Sequence, residues 1–278
     1  MEIIKFYIYG VIMGCANVIP GVSGGTIAII LNFYDILMES ITLNIRVIYK
    51  NIKFIIPLGL GVLSGIIGLS KVMEYLLVYY SSQTFSGFLG VVVGSLPLIW
   101  HKAKNNQKNI DKRLFIPFFI SLGLMIGLSL FSQVESGLTV YETLSFEAFI
   151  VLFIGMFIAS MTMIIPGISG SLVLIILGLY STIYGYAIAK FNIGLLVPIG
   201  LGAICGIFVA ARVISYLLSN YQEYTYMAIL GLLFGSIFDL YKRISFDSIG
   251  TIFISLIVFV LMVIIIGLFS YYEIRNGK

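Results

Sequence analysis

A proline, three glycines and a serine interrupt an apolar run at Asn17–Leu31, NVIPGVSGGTIAIIL, and the interruption returns at Met163–Leu177 as MIIPGISGSLVLIIL. Pro20, Gly21, Ser23 and Gly24 reappear 146 residues on as Pro166, Gly167, Ser169 and Gly170, which marks an internal duplication. Proline has no backbone N–H and blocks the preceding turn of a helix, while glycine admits backbone shapes closed to other residues. A helix therefore breaks at each copy. The apolar run beyond the serine restarts a helix whose first N–H groups have no intrahelical partner. At membrane depth such groups need protein, trapped water or a ligand, because broken helices persist only where they are buried in protein or line a cavity. Two inward-pointing helix starts would suit an anion. A pair of plain kinks, where glycine lets helices pack closely, accounts for the same residues but does not require the serine and the full spacing to repeat.

Whether membrane depth is the right setting is decided by composition. Of 278 residues, 60% are hydrophobic and 10% charged, against roughly 25% charged in soluble domains, so the chain reads as a polytopic membrane protein. The net charge of +4 suits basic cytoplasmic loops and points to no nucleic-acid partner. Cys15 and Cys205 lie inside apolar stretches, as small packing residues rather than a disulfide or metal pair. The N-terminal apolar run continues directly into the first PGVSG, unlike a cleavable signal peptide.

Residues 3–38 are too long for one crossing of roughly 20 residues, yet the break leaves two arms of about 15, each short of a comfortable crossing. The expectation is a re-entrant helical hairpin. Spans follow at about 54–80, 85–100 and 114–131, with the basic loop HKAKNNQKNIDKR between the second and third. The second half replays this order: a hairpin at 149–180, then spans at about 193–219, 224–241 and 250–272. An offset of 141 places Lys71 on Arg212, Tyr75 on Tyr216, Gly90 on Gly231, Gly94 on Gly235 and Ser95 on Ser236. The expected fold is all-α and polytopic, with two repeats, 1–134 and 135–278, each a re-entrant hairpin plus three transmembrane helices. Three crossings per repeat would invert the second copy, the arrangement of many secondary transporters with a site near the midplane. Lys/Arg counting does not separate this from parallel repeats. Inverted repeats leave Lys190, Lys242 and Arg243 outside, parallel ones Lys5, Arg275 and Lys278, and both give eleven inside to three outside. Segment length and motif position favour inversion.

Lys71 lies about nine residues before Tyr80, roughly 14 Å of helix and close to the midplane. Arg212 is its repeat mate. Cations at that depth usually face a cavity or a partner, although snorkelling, or for Lys71 a pair with Glu74 three residues on, would also satisfy them. Two cations with two helix starts would suit a strongly anionic ligand such as a phosphate monoester, and the apolar, glycine-rich surroundings suit one with a lipid tail. Glu74, Asp35 and Glu39 are candidates for coupling a proton or sodium ion, or ordinary interfacial carboxylates. Enzymatic readings find little: the single histidine, His101, opens the basic loop, histidine and cysteine are too few for a conventional zinc site, and no GxxxxGK[ST] occurs. No cofactor is expected.

Across essentially the whole chain, MGCANVIPGVSGGTIAIILNFYD followed by IASMTMIIPGISGSLVLIILGLY resembles the bacterial polyprenyl-phosphate transporter family. The resemblance implies a multi-pass protein of the bacterial cytoplasmic membrane that flips undecaprenyl phosphate, or a related polyprenyl phosphate, to recycle the carrier lipid of cell-wall synthesis. It also implies paired re-entrant hairpins in inverted repeats, and it points to Pro20, Gly21, Ser23, Gly24, Pro166, Gly167, Ser169 and Gly170. The second copy departs from the first with Ser171 in place of Gly25. The expected site holds the phosphate between the hairpin tips, on N–H groups around Gly21, Val22, Ser23, Gly24 and Gly25 and around Gly167, Ile168, Ser169, Gly170 and Ser171, with Lys71 and Arg212, which depth and repeat symmetry single out rather than the resemblance, as counter-charges. A secondary transporter or channel for a small soluble anion would use the same site. A non-transporting scaffold would leave the deep cations without a purpose.

Overall fold

The computed structural model describes residues 2–17, 24–41, 45–104, 111–131, 141–188, 190–245 and 248–276. The protein is all-helical and polytopic, with no strand among the described residues. Six helices there are long and apolar enough to cross a membrane. In chain order the first half has α1 (Glu2–Asn17), α2 (Gly24–Ile30), α3 (Tyr34–Ser40), α4 (Ile45–Lys50), α5 (Ile52–Tyr79), α6 (Ser81–Lys104) and α7 (Phe115–Phe131). The second half has α8 (Phe146–Ile164), α9 (Gly170–Ile176), α10 (Ile193–Asn220), α11 (Gln222–Lys242) and α12 (Ile249–Asn276). Between α9 and α10 the stretch Ser181–Ile188 is a π-helix, so the segment expected to end at residue 180 runs a further two turns. The span expected at 85–100 is longer at both ends, because Ser81 to Thr84 and His101 to Lys104 continue the helix into polar sequence.

The break after α8 falls where proline requires it. Ile165, held extended by Pro166, ends α8 at φ −71° and ψ 120°. The short helices α2 and α9 end alike: Phe33 N–H reaches the Ala28 carbonyl and Leu179 N–H the Leu174 carbonyl, both at 2.9 Å. Asn32 and Gly178, 146 residues apart, supply the positive φ of that cap.

The packing obeys the duplication. α1 lies along α5 in the same direction, with Phe6 edge-on to Phe54 at 4.9 Å and the Tyr7 hydroxyl donating to Ser64 Oγ at 3.0 Å. Gly61 sits so close that a Cβ there would overlap the Tyr7 carbonyl, and Gly202 stands in the same relation to the Phe153 carbonyl, which fixes α8 along α10. The third long helix of each half crosses to the other half. α7 packs on α11, with Gly231 under the Phe118 carbonyl, and α12 packs on α6, with Gly90 under the Phe259 carbonyl. Each partner in one contact is the other's equivalent at an offset of 141.

At the centre α6 and α11 run antiparallel. Arg243, just past α11, covers the ring of Phe85 near the start of α6 at 5.8 Å. At the other end Lys102 of α6 covers the ring of Tyr226 near the start of α11 at 5.4 Å. These two cation–π contacts also exchange under the 141-residue offset, as do Ser95 and Ser236, whose hydroxyls donate to the Val92 and Leu233 carbonyls. Outside this centre α12 shows apolar side chains to its surroundings on most sides, Phe253, Leu256, Leu261 and Leu268 among them, as a lipid-facing helix does.

Candidate functional site

The start of α2 meets the break after α8. The Gly167 N–H, freed by the break after α8, donates to Thr26 Oγ1 of α2 at 3.0 Å in a buried setting. Gly25 lies against the Ile164 carbonyl and Pro166 N with no room for a side chain. Tyr34, fully buried at the start of α3, donates its hydroxyl to the Ile164 carbonyl at 3.4 Å, one of the groups that a helix C-terminus leaves without a partner. Gly167 itself has φ +91° and rests on Leu232 of α11, so the second tip is seated on the central helix pair.

Of the residues expected to bind, Gly24 and Gly25 open α2 and are buried with Pro166, Gly167, Ile168, Ser169 and Gly170 around this contact. Ser171 is half-buried, its hydroxyl 2.7 Å from that of Ser169. Pro20, Gly21, Val22 and Ser23 lie outside the described residues. Lys71 and Glu74 sit on α5, with their side chains outside the described set. The amides around the tips are thus partly committed to protein: Gly167 N–H is held by Thr26 and Ile168 N–H by the Ile165 carbonyl at 3.4 Å.

Arg212 projects from α10 on an exposed face and, among the described residues, forms no ion pair. The helical repeat puts it on the same stripe as Ser215 and Ser219. Those two serines, with Asp35 and Glu39 of α3 and Gln222 of α11, line a cavity of about 320 Å³. Arg212 therefore stands one turn before the polar cavity on α10, on the cavity's side of the helix.

Beside that cavity is a cluster that the sequence reading did not assemble. Tyr226 Oη donates to Asp35 Oδ1 at 2.6 Å, and Lys102 Nζ reaches Asp35 Oδ2 at 3.1 Å and Tyr226 Oη at 3.3 Å. Tyr226 is fully buried, whereas the Asp35 side chain is 54% exposed. Charge-assisted bonds of this kind are the strong ones, and here they tie the first hairpin to both central helices. The three residues are far apart in sequence, but a signal existed: the offset of 141 that pairs Lys102 with Arg243 also pairs Phe85 with Tyr226, so one ring of the symmetric pair carries a hydroxyl and the other does not. The Arg243 end is satisfied differently, by Asp239 at 3.1 Å, whose other oxygen accepts from Ser129 at 2.8 Å. Among the described residues no group of three or more His, Cys, Asp or Glu could hold a metal ion.

Residues 13–249 match a family model described as undecaprenyl phosphate translocase-like. A polyprenyl-phosphate transporter of Vibrio cholerae is 31% identical over 253 residues, covering 85% of this chain and 77% of that protein. A polyprenyl-phosphate transporter of Staphylococcus aureus is 29% identical over 258 residues, covering 91% and 90%. No solved structure matches the chain. With a family match running through both copies of P-G-x-S-G, the chain belongs to the undecaprenyl phosphate translocase-like family.

Proposed function

We propose that the protein is a flippase that carries undecaprenyl phosphate, or a closely related polyprenyl phosphate, across the bacterial cytoplasmic membrane by alternating access. The carrier lipid would thereby return for a new round of cell-wall polymer synthesis. The observation that carries the reading is the contact between the two broken hairpins, with Gly167 N–H on Thr26 Oγ1 inside a helical membrane protein. A charged head group alone in hydrocarbon is prohibitively costly, and irregular backbone at that depth supplies the polar groups that lower the cost. The head group would pass along the tips, at Pro20 to Gly25 and Pro166 to Ser171, with Lys71 and Arg212 as counter-charges and the tail left in lipid. Because some tip amides are engaged by protein, the head group would enter as the two hairpins part. Glu74 is the candidate for coupling to a proton or sodium ion. No bond is made or broken in this cycle.

Inverted repeats fit the antiparallel α6–α11 pair, whose members are repeat equivalents. Re-entrant hairpins fit the alignment of α1 with α5 and of α8 with α10: each hairpin's first arm and the following span start level and run the same way, so the chain between them doubles back. With the basic loop between α6 and α7 on the cytoplasmic side, the polar cavity would open to the cytoplasm.

The test is translocation of undecaprenyl phosphate in proteoliposomes containing only this protein, scored by access of a membrane-impermeant reagent to the phosphate. Wild type should move the lipid and Arg212→Ala should slow it by about tenfold or more, as loss of a counter-charge to the passing phosphate would. Movement of a short soluble phosphate instead, with undecaprenyl phosphate left in place, would assign the site to a soluble anion. An Arg212→Ala variant as fast as wild type would remove Arg212 from the pathway.

A further inference from the structure

Asp35 is held as a substrate anion would be held. Its two carboxylate oxygens take a hydrogen bond from a buried phenol at 2.6 Å and a contact from an ammonium group at 3.1 Å. These donors, Tyr226 and Lys102, belong to the central helices, while the carboxylate arrives from the first hairpin on α3. Against the same carboxylate lies a cavity of about 320 Å³ whose remaining polar lining includes the hydroxyls of Ser215 and Ser219 and the amide of Gln222, all able to donate to a phosphate oxygen. At the opposite end of the central pair the equivalent ring is Phe85, which has no hydroxyl, and the cation Arg243 is paired by Asp239 of its own helix. The Lys102 end thus combines a phenol, a lysine and an adjoining polar cavity.

We infer that Lys102 and Tyr226 form a second anion site, for a phosphate monoester, which the Asp35 carboxylate occupies in this conformation and which the travelling head group takes over by displacing it. The inference rests on the lipid-phosphate reading above and adds to it a station at the end of the path near the basic loop. Glu39 lines the same cavity one turn on from Asp35 and opposes a second negative charge, so the site holds phosphate weakly. Weak holding suits a station where the head group must leave. Exchange of one anion for another also avoids exposing Lys102 without a counter-charge at any stage.

Anion exchange and a simple latch differ in sign. If the cluster only clasped α3 to the central helices, Asp35→Asn, Lys102→Met and Tyr226→Phe would all loosen the same clasp and shift binding in the same direction. An anion site separates them: Asp35→Asn removes the competitor and should tighten phosphate binding by about tenfold, while Lys102→Met and Tyr226→Phe remove donors and should weaken it by about tenfold. The measurement is equilibrium binding to the full chain in nanodiscs, read from the fluorescence of Trp100, the only tryptophan, which lies two residues before Lys102. Undecaprenyl phosphate and inorganic phosphate are the two probes. Opposite shifts with the lipid identify its head group as the natural occupant, and opposite shifts with inorganic phosphate alone identify a soluble phosphate. Shifts of one sign, or an Asp35→Asn variant that binds no more tightly than wild type, overturn the site. Wild-type translocation is scored in parallel: opposite shifts without translocation would remove the flippase reading and leave the anion site, and translocation without opposite shifts would do the reverse.

Discussion

Gly167 answers to three demands at once. Its φ of +91° is closed to L side chains, Leu232 fills the place where a Cβ would go, and its N–H is one half of the contact between the hairpins. Gly167→Ala should therefore cost about 1–3 kcal/mol, read as a lower unfolding midpoint in detergent. The other half of the contact can be probed without touching the backbone. Thr26→Val keeps the shape and strands the buried Gly167 N–H, for a loss of about 1–3 kcal/mol, whereas Thr26→Ser keeps the acceptor and should lie close to wild type. Equal stability of the Val and Ser variants would mean that water or another group replaces the hydroxyl. The break at Pro166 and Gly167 was legible in the sequence, since a repeated proline and glycine in an apolar run interrupt a helix. Thr26 was not, because its role depends on a residue 141 positions away.

The helix contacts turn on which glycine faces a neighbour. Gly61 lies under the Tyr7 carbonyl, but Gly59, two residues earlier on the same helix, has nothing within 4 Å of its missing Cβ. Gly61→Ala should push α1 from α5 and cost about 1–3 kcal/mol, while Gly59→Ala should be neutral or gain up to about 1 kcal/mol from helix propensity. Thermal unfolding of the two variants side by side checks this, and equal effects would show that the close approach is not what sets stability. Here the sequence went part of the way: Gly61 and Gly202 are equivalents at the offset of 141, which ties the two contacts to one another. It did not say that the third long helix of each half pairs with the other half. Apolar helices in lipid carry no charge pattern that names a partner, and Gly90 and Gly231 mark a close approach without saying to what. The cluster of Asp35, Lys102 and Tyr226 stayed hidden for a related reason, since each residue alone reads as an interfacial side chain.

For the whole molecule, sidedness is the open quantity that a labelling experiment settles. In a background with Cys15 and Cys205 replaced by alanine, single cysteines at Lys5, Lys104, Glu223 and Arg275 should react with an impermeant thiol reagent from one side, and cysteines at Gln83 and Ser248 from the other. Parallel repeats would move Lys5 and Arg275 to the side opposite Lys104, the distinction that counting Lys and Arg left tied. The exchange of third helices between halves bears also on how the protein is made. α7 leaves the ribosome well before α11 exists, and at roughly 5–20 residues per second the interval between Phe131 and Gln222 is about 5–20 seconds. Through that interval the glycine-free face of α7 has neither Gly231 nor Gly235 to close on, and α6 waits longer still for α12. Thus α6 and α7 are inserted beside an α1–α5 pair that can already close, and find their own helix partners only when synthesis is nearly complete.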